Sequence, residues 1–217
     1  MINIYNLLQA TSKIYDGMKI FETEKQIKKY VMSVYKEELG EFSFKGDIVA
    51  GPNSSLGEGN ASDYQIKQGD CIILDLLPRK GGFCVDTTRT FFVGKPSEEQ
   101  VYIYNIVRCA IENTERILKP NLKACDIYNF MKQQLKPFEN TFFHHAGHLI
   151  GCKRLLQPQF LSTNTKTLKV GDIVTLEPGI YIKNKFGIRL ENDYIITKNG
   201  YEKLFDYPLE IEKFILK

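Results

Sequence analysis

Two ten-residue windows about a hundred residues apart constrain this chain more than any other feature. Residues 66–75 read IKQGDCIILD and residues 168–177 read LKVGDIVTLE. Lys, Gly, Asp and Leu coincide, and an acid closes each window. GFCVD (82–86) and GIRLE (187–191) extend the theme, each setting an acid four residues after a glycine in a strand-like run. The Ala-Gly steps at 50–51 and 146–147 form a looser echo. The offset is longer than solenoid periods, so it reads as an internal duplication. Two half-domains, about 1–94 and 95–217, would face each other across a pseudo-twofold axis, each giving two acids at equivalent places. No Gly/Ser-rich or Pro-rich linker separates them. They are expected to share one sheet and one core, as a single domain over 1–217.

The element order supports the same reading. The first forty residues look helical: Thr23 and Gln26 form a T-x-x-Q capping box ahead of EKQIKKYVMSVYKEEL, and Gly40 stands where a helix C-terminal glycine belongs. A second helix opens at Ser97 with Gln100 three residues on, carries Ile103, Val107, Ala110, Ile111 and Ile117 at helical spacing, and meets Pro120. A shorter helix spans roughly Cys125 to Leu135. CIILDLL, FCVDTTRTFFV, DIVTLE, GIYI and GIRLENDYIIT are β-type runs broken by glycines. A helix pair followed by strands, twice over, gives an α+β fold.

Composition removes several function classes. Lys+Arg 29 against Asp+Glu 26 leaves a net charge of +3, too weak for a protein that must neutralise many phosphates. Five Cys without a C-x-x-C pair fit a reduced, cytoplasmic chain better than a disulfide framework or zinc ribbon. The apolar runs fall short of a membrane span, and no leader pattern is legible in MINIYNLLQATSKIYDG.

Asp75, Asp86, Glu177 and Glu191 all sit in or beside strongly apolar runs, where an isolated ionised acid is costly. Each one alone reads as a strand-end cap or the partner of a buried arginine. The duplication changes this, because it brings all four to one locus. Like charges near 4 Å repel by about 4 kcal/mol per pair at an effective dielectric near 20, and Arg79, Arg89 and Arg189 offset only part of that. Two divalent cations would cancel it. The only three histidines crowd into HHAGHLIG as His144, His145 and His148. One imidazole with four carboxylates suits Mn²⁺, Fe²⁺, Co²⁺ or Zn²⁺, and bridging carboxylates hold such ions about 3.5–4 Å apart.

The order of these residues resembles the pita-bread metallohydrolases, the family of methionine aminopeptidase, aminopeptidase P, prolidase and creatinase. Asp75 and Asp86 come first, then His148 in G-H-x-x-G, Glu177 in E-P-G and Glu191 in G-x-R-x-E, with GPNSS (51–55), DTTRTFFVG (86–94) and EPGIY (177–181) in family order. The match covers nearly the whole chain. It implies a pita-bread fold, an antiparallel-rich sheet covered by helices. It also implies two divalent ions, manganese favoured over cobalt, zinc or iron, held by Asp75, Asp86, His148, Glu177 and Glu191. By the same resemblance Glu177 is general base to a metal-bridging hydroxide, His144 is catalytic at the substrate's edge, and Tyr181 and Arg189 support the metals. EPGIY and VDTTRTF are more similar to aminopeptidase P and prolidase, which implies a peptide substrate cut at an N-terminal X-Pro bond by the catalytic domain alone. Neither nucleic acid nor membrane is expected as partner, and a homodimer is left open.

Two positions depart from the family pattern. Glu58 stands where a substrate-positioning histidine follows the G-x-N-S segment, and Leu155 stands near the place of a second histidine beyond G-H-x-x-G. His145, Glu58 or Lys153 are the substitutes at hand. A creatinase-like amide substrate, or a non-catalytic binding protein, is the alternative. Cys84 and Cys152, though near the acids, are expected to fill apolar gaps. GPNSSLGEGN lacks the G-K-[ST] ending of a phosphate loop.

Overall fold

The repeated K-x-G-D motif builds the same turn twice. In a computed structural model, which describes residues 3–151 and 155–217 (of residues 155–157 the backbone only), Asp70 N donates to Lys67 O at 3.1 Å while its carboxylate accepts Lys67 N–H at 2.8 Å. Asp172 and Lys169 repeat both bonds at 3.1 and 2.8 Å. Gly69 at φ +87° and Gly171 at φ +90° occupy the left-handed position that such a turn requires. Each then donates onward at 2.8 Å, Gly69 to Val93 O and Gly171 to Ile196 O, fixing which strand lies beside which.

In chain order, α1 (Ile4–Asp16) and α2 (Glu24–Leu39) precede β1 (Ser43–Lys45), β2 (Ile48–Ala50), β3 (Cys71–Lys80), β4 (Phe83–Cys84) and β5 (Thr87–Val93). Then α3 (Glu98–Glu115) and α4 (Ala124–Gln134) precede β6 (His148–Ile150), β7 (Leu155–Gln159), β8 (Ile173–Leu176), β9 (Gly179–Ile182), β10 (Phe186–Arg189), β11 (Asn192–Ile196) and β12 (Tyr201–Lys203), with β13 (Ile215–Leu216) last. In the first half β3 pairs antiparallel with β1, β2, β4 and β5; in the second β8 pairs antiparallel with β6 and β11. Among the described residues only β13 on β5 is parallel. α1 and α2 pack on β3 and β2, and α3 packs on β8, β9 and β10. Leu7, Ile14, Ile27 and Val31 from the first helix pair share one buried apolar cluster with Ile103, Val107, Ile111, Val174 and Leu176. The α+β fold and its duplication stand as the sequence implies.

Several details differ. The strands form separate sheets of six and five, with β9–β10 a ribbon of two and β13 of the second half added to the sheet of the first; the two sheets meet where Thr88 and Glu191 exchange backbone hydrogen bonds of 3.4 and 3.0 Å. Val93 and Ile196 are equivalent, so counting back five residues along each strand makes Thr88, not Asp86, the counterpart of Glu191. Asp75 and Glu177 are true counterparts. The Ala-Gly echo has no structural basis, because Ala50 opposes Ile72 whereas Leu149 opposes Val174. Thr23 does cap α2 through Gln26 N at 3.2 Å, but the Gln26 side chain turns to Glu22 N instead of closing the box. Ser97 and Gln100 close theirs, and so do Asn3 and Asn6 at α1. α3 ends at Glu115, five residues before Pro120, where tight bonds from Ile117 to Thr114 and Leu118 to Glu115 unwind it.

Candidate metal centre

Breaks between strands present the acids. FCVDTTRTFFV splits into β4 and β5 because Asp86 N–H leaves the ladder for Asp193 Oδ2 at 3.0 Å. GIRLENDYIIT splits into β10, paired with β9, and β11, paired with β8, with Glu191 at the gap. Glu177 follows β8, and Asp75 lies within β3. Gly187 lets β10 press on the Gly51–Leu56 turn: a Cβ there would run into Ser54 O, and Gly187 N donates to Ser54 Oγ at 2.8 Å. That contact carries Arg189 to Gly57 O.

Asp75, Asp86, His148, Glu177 and Glu191 line one cavity of about 560 Å³, together with His144, His145, Arg189 and, exposed at its rim, Glu58. His148 Nε2 stands 3.5 Å from Asp86 Oδ2 and 3.7 Å from Glu177 Oε1, and its Nδ1 is satisfied by Leu149 O at 3.1 Å. Thr88 Oγ1 donates to Glu191 Oε2 at 2.7 Å. Asp86, His148 and Glu191 present ligand atoms all within 4.8 Å of one another, and so do His144, His145 and Glu177. Asp75 is in neither group, because Arg189 Nη2 holds its carboxylate at 2.5 Å.

A chain of hydrogen bonds runs outward from that pair. Arg189 Nη1 donates to Tyr181 OH at 3.1 Å, and Tyr181 OH lies 2.7 Å from His144 Nε2. His144 Nδ1 lies 2.8 Å from His145 O, a carbonyl that only accepts. Nδ1 therefore carries the proton, and Nε2 accepts from Tyr181. Burial pushes His144 down to about 4, consistent with the neutral ring this requires.

The carboxylates repel one another strongly. Burial, then the charges of Asp75 and Asp193, drive Asp86 well above the usual carboxylate range. Burial and Asp86 do the same to Glu191. Asp75 is raised by burial despite Arg189. Glu177 goes the other way: burial would raise it, but His145, His148 and His144 hold it at about 2. Hard oxygen donors pushed toward protonation by each other's charge, with imidazoles among them, are a set that divalent cations fit.

Cys84 is buried and donates to Gly151 O at 3.2 Å, outside both ligand groups, as expected of a gap-filler. Cys152 and Lys153 lie outside the described residues, as does the side chain of Leu155. The sequence did not single out Asp193 or Thr88, which hold Asp86 and Glu191. Period-two spacing from Glu191 was the one available signal for Asp193. Among the described residues no helix is long and apolar enough to cross a membrane.

Comparison with known proteins agrees with this geometry. Residues 5–198 match the model of metallopeptidase family M24. The chain is 32% identical over 200 residues to an Xaa-Pro dipeptidase of Pyrococcus furiosus, covering 91% of this chain and 57% of that protein. It is 31% identical over 188 residues to an uncharacterized peptidase of Staphylococcus aureus (strain MRSA252), covering 85% and 54%. It thus spans little more than half the length of these relatives. Among solved structures, an Xaa-Pro dipeptidase from Bacillus anthracis superposes with a TM-score of 0.91 at 30% identity, over 98% of this chain and 60% of that one. An X-Pro aminopeptidase from Thermotoga maritima gives 0.90 at 29%, over 98% and 60%. The pita-bread fold is therefore shown, and the chain belongs to metallopeptidase family M24.

Proposed function

We propose that this chain hydrolyses the peptide bond before proline at the N-terminus of short peptides, using two divalent cations held by Asp75, Asp86, His148, Glu177 and Glu191. The observation that carries the reading is the convergence of all five side chains on one cavity beside the Asp75–Arg189–Tyr181–His144 chain. The activities named for the dipeptidase and aminopeptidase relatives point the same way. The gathered ligand set gives no support to a non-catalytic role.

Bound cations supply Lewis acidity, which makes water acidic and polarises the scissile carbonyl. Glu177, ionised across the physiological range, accepts the proton of the attacking water. His144 faces the cavity as a neutral ring fixed by Tyr181 and its own neighbour's carbonyl, and orients the substrate. Arg189 neutralises Asp75 and sets the Tyr181 hydroxyl.

The test is turnover of X-Pro and Met-leading peptides with added Mn²⁺ or Co²⁺, product mass as readout, and a chelator control. Chelator-sensitive release of the residue before proline is expected. Protein shown to hold metal that leaves every X-Pro peptide intact would overturn the reading.

A further inference from the structure

Of the three histidines, the site described above uses His148 and His144. His145 enters it only as a neighbour that lowers Glu177. Its ring lines the same cavity, with Nδ1 3.0 Å from Glu177 Oε1. That nitrogen is buried and its close contact is the carboxylate alone, an ion-pair contact short of a regular hydrogen bond. Buried polar atoms rarely go unpartnered, and one that does calls for an explanation. The neighbouring rings are engaged differently: both nitrogens of His144 are taken, and His148 keeps only Nε2 for the cavity.

Donor nitrogens and oxygens stand about 2.0–2.2 Å from a bound first-row cation, so two of them on one ion are about 2.8–3.6 Å apart between octahedral and tetrahedral angles. The 3.0 Å from His145 Nδ1 to Glu177 Oε1 falls in that range, and the 3.7 Å from His148 Nε2 to the same oxygen lies just beyond it. The His145 and His148 rings are 5.3 Å apart and nearly perpendicular, at 83°. Consecutive residues point opposite ways in a strand; bends at His144 and Ala146 turn His144 and His145 to the same cavity.

We propose that His145 is a metal ligand, a second imidazole beside His148 and Glu177 that shifts this site from manganese toward zinc, cobalt or iron. The inference rests on the metallopeptidase reading. A donor set of one imidazole and four carboxylates admits manganese alongside iron, cobalt and zinc, whereas each added imidazole favours zinc and the later divalent ions over manganese.

Chelator-stripped protein titrated calorimetrically with Zn²⁺ and separately with Mn²⁺, as wild type, His145→Ala and His145→Asn, tests this. Both variants are expected to weaken Zn²⁺ at least tenfold and Mn²⁺ less than threefold, and to alter the visible spectrum of the Co²⁺-loaded protein. Zn²⁺ affinity within twofold of wild type and an unchanged Co²⁺ spectrum would overturn the proposal. Equal weakening of both metals would overturn the preference. Should the variants fail circular dichroism, diethylpyrocarbonate labelling of the wild type decides, read by tandem mass spectrometry: Zn²⁺ is expected to protect His145, and undiminished labelling overturns the proposal. Wild type that takes up no divalent ion would overturn this inference and the metallopeptidase reading together. Normal uptake by wild type with unaffected variants overturns only the role of His145.

Discussion

Replacing Arg189 with Met keeps an unbranched stem and deletes the guanidinium, which anchors one side of the cavity. Four contacts disappear: Asp75 Oδ2 at 2.5 Å, Tyr181 OH at 3.1 Å, Thr88 Oγ1 at 3.4 Å, and Gly57 O. The Asp75 and Arg189 side chains are only 16% and 5% exposed, so water replaces little of what is lost. Removing one partner of a buried ion pair costs about 3–5 kcal/mol, because the other charge is left uncompensated. At a urea slope of about 2 kcal/mol/M the unfolding midpoint of metal-free Arg189→Met should fall by about 1.5–2.5 M. Asp75→Asn in the same background should recover much of the loss, with a coupling of about 2 kcal/mol or more in the double-mutant cycle. A loss below about 1 kcal/mol in the single variant, with additive effects in the double, would refute the assignment of Arg189 as the charge that holds Asp75.

Other variants test other parts of the site. Burial pushes Asp193 up to about 8, against an unfolded value near about 3.9. The folded metal-free protein therefore holds more protons than the unfolded chain, and stability falls as pH rises toward 8. His144, neutral in the fold down to about 4, opposes this trend only below about 6.5, its value in the unfolded chain. Between pH 6.5 and 8 the metal-free melting temperature should drop, and Asp193→Asn should flatten that drop; a variant slope as steep as wild type would contradict the assignment. Tyr181→Phe removes the hydroxyl between Arg189 and His144, and is expected to lower turnover about 10–100-fold by loosening the imidazole while leaving metal content unchanged. Loss of metal in that variant would show that Tyr181 acts on the ligands instead. Cys84→Ser should keep its full metal content by elemental analysis, and a large loss would put the sulfur among the ligands.

What the sequence disclosed is the part that repeats or is local. The repeated windows announced the equivalence of Asp75 and Glu177, because the matching residues around each acid are adjacent in sequence. The pairing of Asp86 with Glu191 misled, since an acid four residues after glycine says nothing about strand register, and a one-residue difference between the halves makes Thr88 the counterpart of Glu191. The shared-sheet expectation failed for a related reason: the halves join through the isolated bridge from Thr88 to Glu191 and through β13 on β5, neither of which any periodicity marks. Gln26 carries the right residue type for its capping box, but Glu22 offers its side chain competing partners at both ends. The tie from Arg189 to Gly57 spans 132 residues, and it depends on how closely Gly187 lets two segments approach. Such contacts come from packing, which residue patterns do not encode locally.

The most direct test follows X-Pro dipeptide hydrolysis as metal-free protein is titrated with Mn²⁺ or Zn²⁺, alongside bound ions per chain, for wild type and Asp86→Asn. Turnover is expected to be absent without metal and to rise with ion uptake toward two per chain, with Asp86→Asn holding fewer ions and losing most of its rate. Hydrolysis at full rate in the stripped protein, or in Asp86→Asn with reduced metal content, would contradict the account.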